Sequence, residues 1–191
     1  MEKLIQLLNV ISLMSPGLQA HLSNTLRSRV IRKGEFILRP GQICTNICFI
    51  EKGLIRIFHD RGNKEVITWL LKEGDIFISI DSFFDQVPST EYIEALEDTI
   101  VWYISFAELE ETCRQYPEFL AHQDKIKTKY HKINDHNKKR ILGMQPKDRY
   151  KLLMGEEPEL ITRVPALHLA SYLNISPKKL FGMRRDIAHG K

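Results

Sequence analysis

Between Val30 and about Phe106 the chain breaks into short β-rich runs separated by turn signals, and this alternation limits its fold more than any other feature. The runs are Phe36-Ile37-Leu38, Ile47-Cys48-Phe49-Ile50, Leu54-Ile55-Arg56-Ile57-Phe58, Glu65-Val66-Ile67-Thr68-Trp69-Leu70 and Thr99-Ile100-Val101-Trp102-Tyr103-Ile104. Between them stand Arg39-Pro40-Gly41, Glu51-Lys52-Gly53, Asp60-Arg61-Gly62-Asn63 and Glu73-Gly74-Asp75. Short β-rich runs at such spacing predict an antiparallel sandwich or barrel.

On either side the period becomes helical. Leu4, Leu7, Leu8 and Ile11 predict a helix over 3–14, and a second is expected over 16–29 after the break at Ser15-Pro16-Gly17. Ser15 fits the cap of that second helix and Pro16 its first turn. Ser105 and Glu108 fit a capping box opening another helix. From Pro117 to about Leu142 a long helix is predicted, with no Gly or further Pro. Phe119, Ile126 and Ile133 lie seven apart in it, with Tyr130 between the last two, a narrow apolar seam like that of a two-helix dimer. Gln123, Asn137 and Arg140 interrupt the seam, which would serve equally to pack on the β region; dimerisation is the reading adopted. Gly143-Met144-Gln145-Pro146 ends this helix, and three short ones follow, roughly 147–154, 165–173 and 177–188.

The net charge of +4 conceals a division. Residues 1–124 carry 12 Lys and Arg against 18 Asp and Glu, while residues 125–191 carry 16 against 6. Such asymmetry points the second part towards a polyanion. Within it, Leu169 and Leu173 stack one turn apart, Ala170 is small enough for close helix approach, and Asn174 suits a left-handed turn. Ile175 fills the corner, Ser176 and Pro177 suit the start of the next helix, and Leu180, Met183 and Ile187 give it a buried stripe. Two short helices at a tight turn, the second free to enter a major groove, are a helix-turn-helix. Ser176, Lys178, Lys179, Arg184 and Arg185 are its candidate DNA-binding residues, placed for phosphates or guanine edges.

Other classes find less support. Hydrophobic residues make up 43%, enough for globular cores, and no run approaches the roughly 20 apolar residues of a membrane span. A secretory signal is missing, so a cytoplasmic location and no membrane partner are expected. Cys44, Cys48 and Cys113 are too few for a disulfide framework or a four-thiolate cluster and are expected to be buried and unreactive. His122, His131 and His136 have no metal-clasp spacing and are expected to face solvent. No catalytic constellation and no metal site is found, and no enzyme activity is expected.

With both halves in view, the chain resembles the cyclic AMP receptor protein and FNR (Crp/Fnr) family of bacterial regulators over nearly its whole length. The resemblance rests on Gly53-Leu54-Ile55-Arg56-Ile57 with Gly74-Asp75, and on Pro158-Glu159-Leu160 through Arg163-Val164-Pro165 to Leu169-Ala170-Ser171-Tyr172-Leu173-Asn174-Ile175-Ser176-Pro177. The latter stretch is similar to members typical of the Bacteroidetes. The resemblance implies a cyclic-nucleotide-binding-like jelly roll, a dimerising helix and a winged helix-turn-helix. Three departures qualify it. Ile78-Ser79-Ile80 and Ser89-Thr90-Glu91 replace the glutamate and arginine with which nucleotide binders of the family hold ribose and cyclic phosphate. Serine cannot make arginine's charge-assisted bidentate contact, so cyclic AMP is not expected as a ligand. Gly182 stands where related recognition helices carry an arginine, and Lys191 leaves no length for a wing.

The fold class expected is therefore α+β: an antiparallel β-barrel sensor with flanking helices over 1–116, a dimerisation and linker helix over 117–143, and an all-α helix-turn-helix without a full wing over 144–191. Phe119, Ile126, Tyr130 and Ile133 are assigned to the dimer helix, and Ser79, Ser82, Ser89 and Thr90 to a ligand pocket. The function expected is a homodimeric, sequence-specific DNA-binding transcriptional regulator, with double-stranded DNA, a second copy and RNA polymerase as partners. It has no cofactor, and its sensor takes an unknown small-molecule effector or none. The alternative is a small-molecule-binding or protein-interaction module whose helix-turn-helix has degenerated.

Overall fold

A computed structural model describes residues 1–62, 64–128, 132 and 143–188. Two helices, α1 (Glu2–Ile11) and α2 (Pro16–Thr25), lead into β1 (Arg27–Ile31), β2 (Phe36–Leu38), β3 (Asn46–Lys52), β4 (Ile55–Asp60), β5 (Glu65–Leu71) and β6 (Ile76–Phe77). Helix α3 (Ile80–Asp85), strands β7 (Tyr92–Ala95) and β8 (Thr99–Ser105) and helix α4 (Phe106–Gln115) follow. A 3-10 turn, Pro117–Phe119, then opens helix α5 at 120–128. Four helices finish the chain: α6 (Pro146–Glu156), α7 (Pro158–Arg163), α8 (Ala166–Tyr172) and α9 (Pro177–Ala188).

The strands form two antiparallel sheets, ordered β1-β8-β3-β6 and β2-β7-β4-β5. Their edge strands do not pair with one another among the described residues, so the jelly roll is a sandwich rather than a closed barrel. Strands β2 and β6, of three and two residues, are too short to bridge the gap. Ile31, Ile50, Ile55, Ile57, Ile93 and Val101 fill the space between the sheets. Caps fall where sequence places them: Ser15 Oγ accepts from Leu18 N at 3.2 Å, and Ser105 and Glu108 exchange both capping-box bonds.

Elsewhere the boundaries move. The predicted second helix ends at Thr25, and Arg27–Arg29 are instead strand, paired with Val101–Tyr103 of β8. Tertiary pairing overrides helical spacing in that last turn. Helix α7 was not expected; Pro158 opens it between the helices predicted over 147–154 and 165–173. His122 is fully buried rather than solvent-facing, with Nε2 donating to the Ser12 carbonyl at 2.9 Å where α5 crosses the α1–α2 turn. His131 and His136 lie outside the described residues.

The β4–β5 hairpin is covered on both faces. Ile55, Ile57 and Leu71 belong to the core between the sheets, whereas Phe58, Ile67 and Leu70 belong to a second core shared with the C-terminal helices. A register shift after Ile57, leaving Thr68 unpaired between Ile67 and Trp69, lets β5 serve both cores. At the turn into β4, Gly53 holds φ at +117°, and a Cβ there would lie 2.7 Å from the Thr99 Cα and 2.3 Å from its Oγ1. Gly53→Ala therefore strains the backbone and forces Thr99 aside, and a loss of about 2 kcal/mol or more is expected in a denaturant melt. A wild-type melt for the variant would show that this close approach does not hold.

Candidate functional site

The last four helices build a compact unit. Asn174 adopts φ +52°, and Ile175 N donates to the Ala170 carbonyl at 3.0 Å, which turns the chain sharply between α8 and α9. Ser176 Oγ accepts from Lys179 N at 3.2 Å and caps α9, so this predicted DNA-contact residue already has a structural role. Leu169, Ala170, Leu173, Leu180 and Met183 close a core with Tyr150, Leu153, Leu160 and Val164. Ala170 is 1% exposed, as the close helix approach requires.

The outer face of α9 carries Lys178, Lys179, Phe181 and Arg185, all exposed. Arg184 is placed differently from the other predicted contact residues: it is half-buried, and Nη2 donates to the Ile161 carbonyl on α7 at 3.2 Å. No side chain or neighbouring backbone lies within 4 Å of a Cβ built on Gly182, so packing does not demand glycine there.

This unit is docked on the sheet, which sequence reasoning missed. Strand β5 is an edge, and its open polar groups are closed by Ser171 of α8. Ile67 N donates to Ser171 Oγ at 3.1 Å, and Ser171 Oγ donates to the Glu65 carbonyl at 2.7 Å. Beside it, Arg56 is 4% exposed, lies over the Phe58 ring, pairs with Glu65 and Glu94, and donates to His168 Nδ1 at 3.0 Å. Burial and the Arg56 charge hold His168 below its ordinary pKa, which matches an Nδ1 that accepts.

The firmest tie is Arg163, at the end of α7. It donates to Glu73 at 2.9 Å from two nitrogens, to Glu97 at 2.8 and 3.0 Å, and to the Gly53 carbonyl at 3.1 Å. Hydrogen bonding from Arg163, then from the Gly53 N–H, pulls the Glu73 carboxyl down to about 2. Lys72 adds a contact to Glu159 at 2.7 Å. A signal for this docking does exist in the sequence: adjacent apolar pairs at Leu54-Ile55, Ile57-Phe58 and Leu70-Leu71 break strict alternation, as in strands covered on both sides.

A cavity of about 570 Å³ lies on the inner face of the same hairpin, between Ile57, Trp69 and Leu71 and the segment from Ser79 to Glu91. Ser79 and Ser89 are buried and share a hydrogen bond of 3.0 Å, and Ser79 Oγ donates to Glu91 at 2.7 Å. His59 Nε2 is 3.5 Å from the other oxygen of Glu91. Ser82 Oγ accepts from Cys44 N at 2.8 Å and donates to the Val87 carbonyl at 2.6 Å, which makes it a loop anchor, while Thr90 is exposed. Asp81 and Glu91 line the cavity, and no Lys or Arg does so among the described residues. Ser79, Ser82, Ser89 and Thr90 all line the cavity, but only Ser79 and Ser89 meet beside the Glu91 carboxylate.

The remaining predicted residues are dispersed. Phe119 is 6% exposed within the barrel core and Ile126 packs against it; Tyr130 and Ile133 lie outside the described residues. The barrel-packing alternative for the seam thus applies at these two positions. Cys44, Cys48 and Cys113 are buried free thiols, and burial pushes Cys48 up to about 12. No group of metal-binding side chains occurs among the described residues. No helix of the described residues is long and apolar enough to cross a membrane.

The arrangement of sandwich and docked helical unit is the fold also seen in solved Crp/Fnr regulators. Residues 28–116 match the family model described as the cyclic nucleotide-binding domain. The chain is similar to the c-di-GMP-responsive global regulator CLP of Xanthomonas campestris, with 14% identity, TM-score 0.72, and coverage of 92% of this chain and 93% of that one. It is also similar to FixK2 from Bradyrhizobium japonicum, with 13% identity, TM-score 0.75, and coverage of 86% of each chain. A protein from Eubacterium rectale assigned to the crp/fnr family of transcriptional regulators gives 16% identity, TM-score 0.71, and coverage of 93% and 85%. No curated protein matches the chain.

Proposed function

We propose that this chain is a DNA-binding transcriptional regulator of the Crp/Fnr type that works as a homodimer. The observation that carries the reading is α9: a capped helix with a buried apolar stripe on one side and Lys178, Lys179 and Arg185 exposed on the other. Cations on an exposed recognition helix hold phosphates and reach guanine edges. A second copy, joined through the helix that begins at Pro117, sets two such helices about 34–36 Å apart, one turn of duplex. DNA, a second copy and RNA polymerase are the partners of this reading, and the cytoplasm is its location.

The jelly roll is a sensor whose effector is not a cyclic nucleotide. Among the described residues its cavity presents the Glu91 and Asp81 carboxylates and His59 but no guanidinium or ammonium, a lining that disfavours a phosphate. Cyclic AMP at millimolar concentration should therefore leave the thermal melt unchanged.

The test of the regulator reading is selection from random duplexes by the purified protein at near-physiological salt. A roughly two-fold symmetric sequence is expected, bound with a steep salt dependence. Gly182, which removes an arm from the recognition helix, favours one rival: a ligand-binding or protein-interaction module with a degenerate helix-turn-helix. Selection that enriches no sequence, from a protein that sediments as a monomer, would establish that rival instead.

A further inference from the structure

We infer that Phe181 is a specificity-determining residue that reads the 5-methyl group of a thymine in the major groove. The inference rests on the DNA-binding reading above and deepens it. Phe181 is 56% exposed and takes part in neither hydrophobic core, although Leu180 and Met183 on the same helix are buried. Its neighbours on α9 explain its direction. At 100° per residue, Lys178, Phe181, Gly182 and Arg185 fall within one third of the helix circumference, the exposed third.

Lys178 and Arg185 are seven residues apart, about 10 Å along the axis, roughly three base-pair steps. Lys179 stands about 100° round the helix from Lys178, outside this third, and within the third no polar reader lies between the two cations. Arg184 is turned towards the Ile161 carbonyl, and Gly182 has no side chain. What the helix presents midway is an aromatic ring, beside a glycine where no other element lies within 4 Å of a Cβ position. A ring cannot read the donors and acceptors of a base edge. The feature of the major groove that rewards apolar contact is the thymine methyl. Open space around Gly182 supports the same conclusion, because it lets the helix sit deep enough for Phe181 to reach the base.

The experiment uses the full-length protein and the duplex obtained by the selection described above. Each thymidine of both half-sites is replaced in turn by deoxyuridine, which removes the methyl and changes no hydrogen bond. At one symmetric position the affinity should fall about fourfold per half-site, the loss of one buried methyl. In Phe181→Ala the thymidine and deoxyuridine duplexes should bind equally at that position, while the effects of bases beside Lys178 and Arg185 persist. Uniform tolerance of deoxyuridine by the wild type would overturn the inference, as would an unchanged methyl effect in Phe181→Ala. Both leave the regulator reading intact, since a sequence was selected. A selection that returns no sequence refutes the regulator reading, and this inference with it.

Discussion

Replacing Lys178 and Arg185 together by alanine should weaken specific DNA binding by roughly three orders of magnitude, measured by fluorescence anisotropy on the selected duplex. Both side chains are exposed, and together they remove two cationic contacts from each protomer, four from a dimer. Contacts of this kind contribute about 1 kcal/mol or more apiece, and each phosphate contact also releases counterions. The slope of log affinity against log salt should therefore flatten by about three to four as well. The change is confined to binding. Neither residue belongs to the core under α9, so the thermal melt should stay within about 0.5 kcal/mol of wild type. A double variant that binds with wild-type affinity and salt slope would remove α9 from the interface. Arg184→Ala is the informative contrast: its guanidinium bonds the Ile161 carbonyl, so its loss should appear in stability more than in the salt slope.

Arg163→Ala should have the next largest effect, on stability and docking. The guanidinium ties α7 to Glu73, Glu97 and the Gly53 carbonyl, with side-chain exposures of 24% for Arg163, 34% for Glu73 and 35% for Glu97. Such partial exposure screens the charges, so the cost falls below that of a fully buried pair, at about 2 kcal/mol. For a chain of this length that corresponds to a melting temperature roughly 4–8 °C lower. Arg163→Lys should recover only part of the loss, because an ammonium cannot span both carboxylates in the fork geometry. The pH profile gives a second readout. Glu73 is held at about 2, below its ordinary 4.5, so its contribution is complete above pH 4.5 and is lost as pH falls through about 2. In Arg163→Ala this part of the acid limb should disappear. Faster amide exchange in β5 and α8, with the core between the sheets unchanged, would locate the damage at the docking surface; unaltered melt and exchange would show that Arg163 is not a tie.

Much of this architecture was legible in the sequence because its signals are local. Turn residues bounded most of the strands, Ser15 and Ser105 marked helix starts, and Asn174 with Ser176 and Pro177 marked the tight turn. Long-range contacts were harder to read. Arg27–Arg29 have helical neighbours yet pair with β8, and β6, of two residues, is too short to announce itself. His122 looked like one polar residue on a basic helix, but its burial depends on where α5 crosses the α1–α2 turn. The candidate site divided in the same way. Lys178, Lys179 and Arg185 follow from helix geometry alone. Arg163 with Glu97, Arg56 with Glu94 and Glu91 with His59 pair across tens of positions, which no spacing rule connects. Ser82 lines the cavity as assigned, while its hydroxyl is held by two backbone bonds that no sequence spacing announces.

Strands β4 and β5 put Ile57 and Trp69 against the cavity and Phe58 and Leu70 against the helical unit. Residues on opposite sides of a strand share one backbone, so neither side can shift without the other. Whatever settles behind this ribbon therefore lies one peptide layer from the docked helical unit of the same subunit. Communication of that kind needs no chain of intermediary side chains. In the regulator reading proposed above, it also places the decisive mutations for uncoupling signal from response in the two-faced hairpin itself.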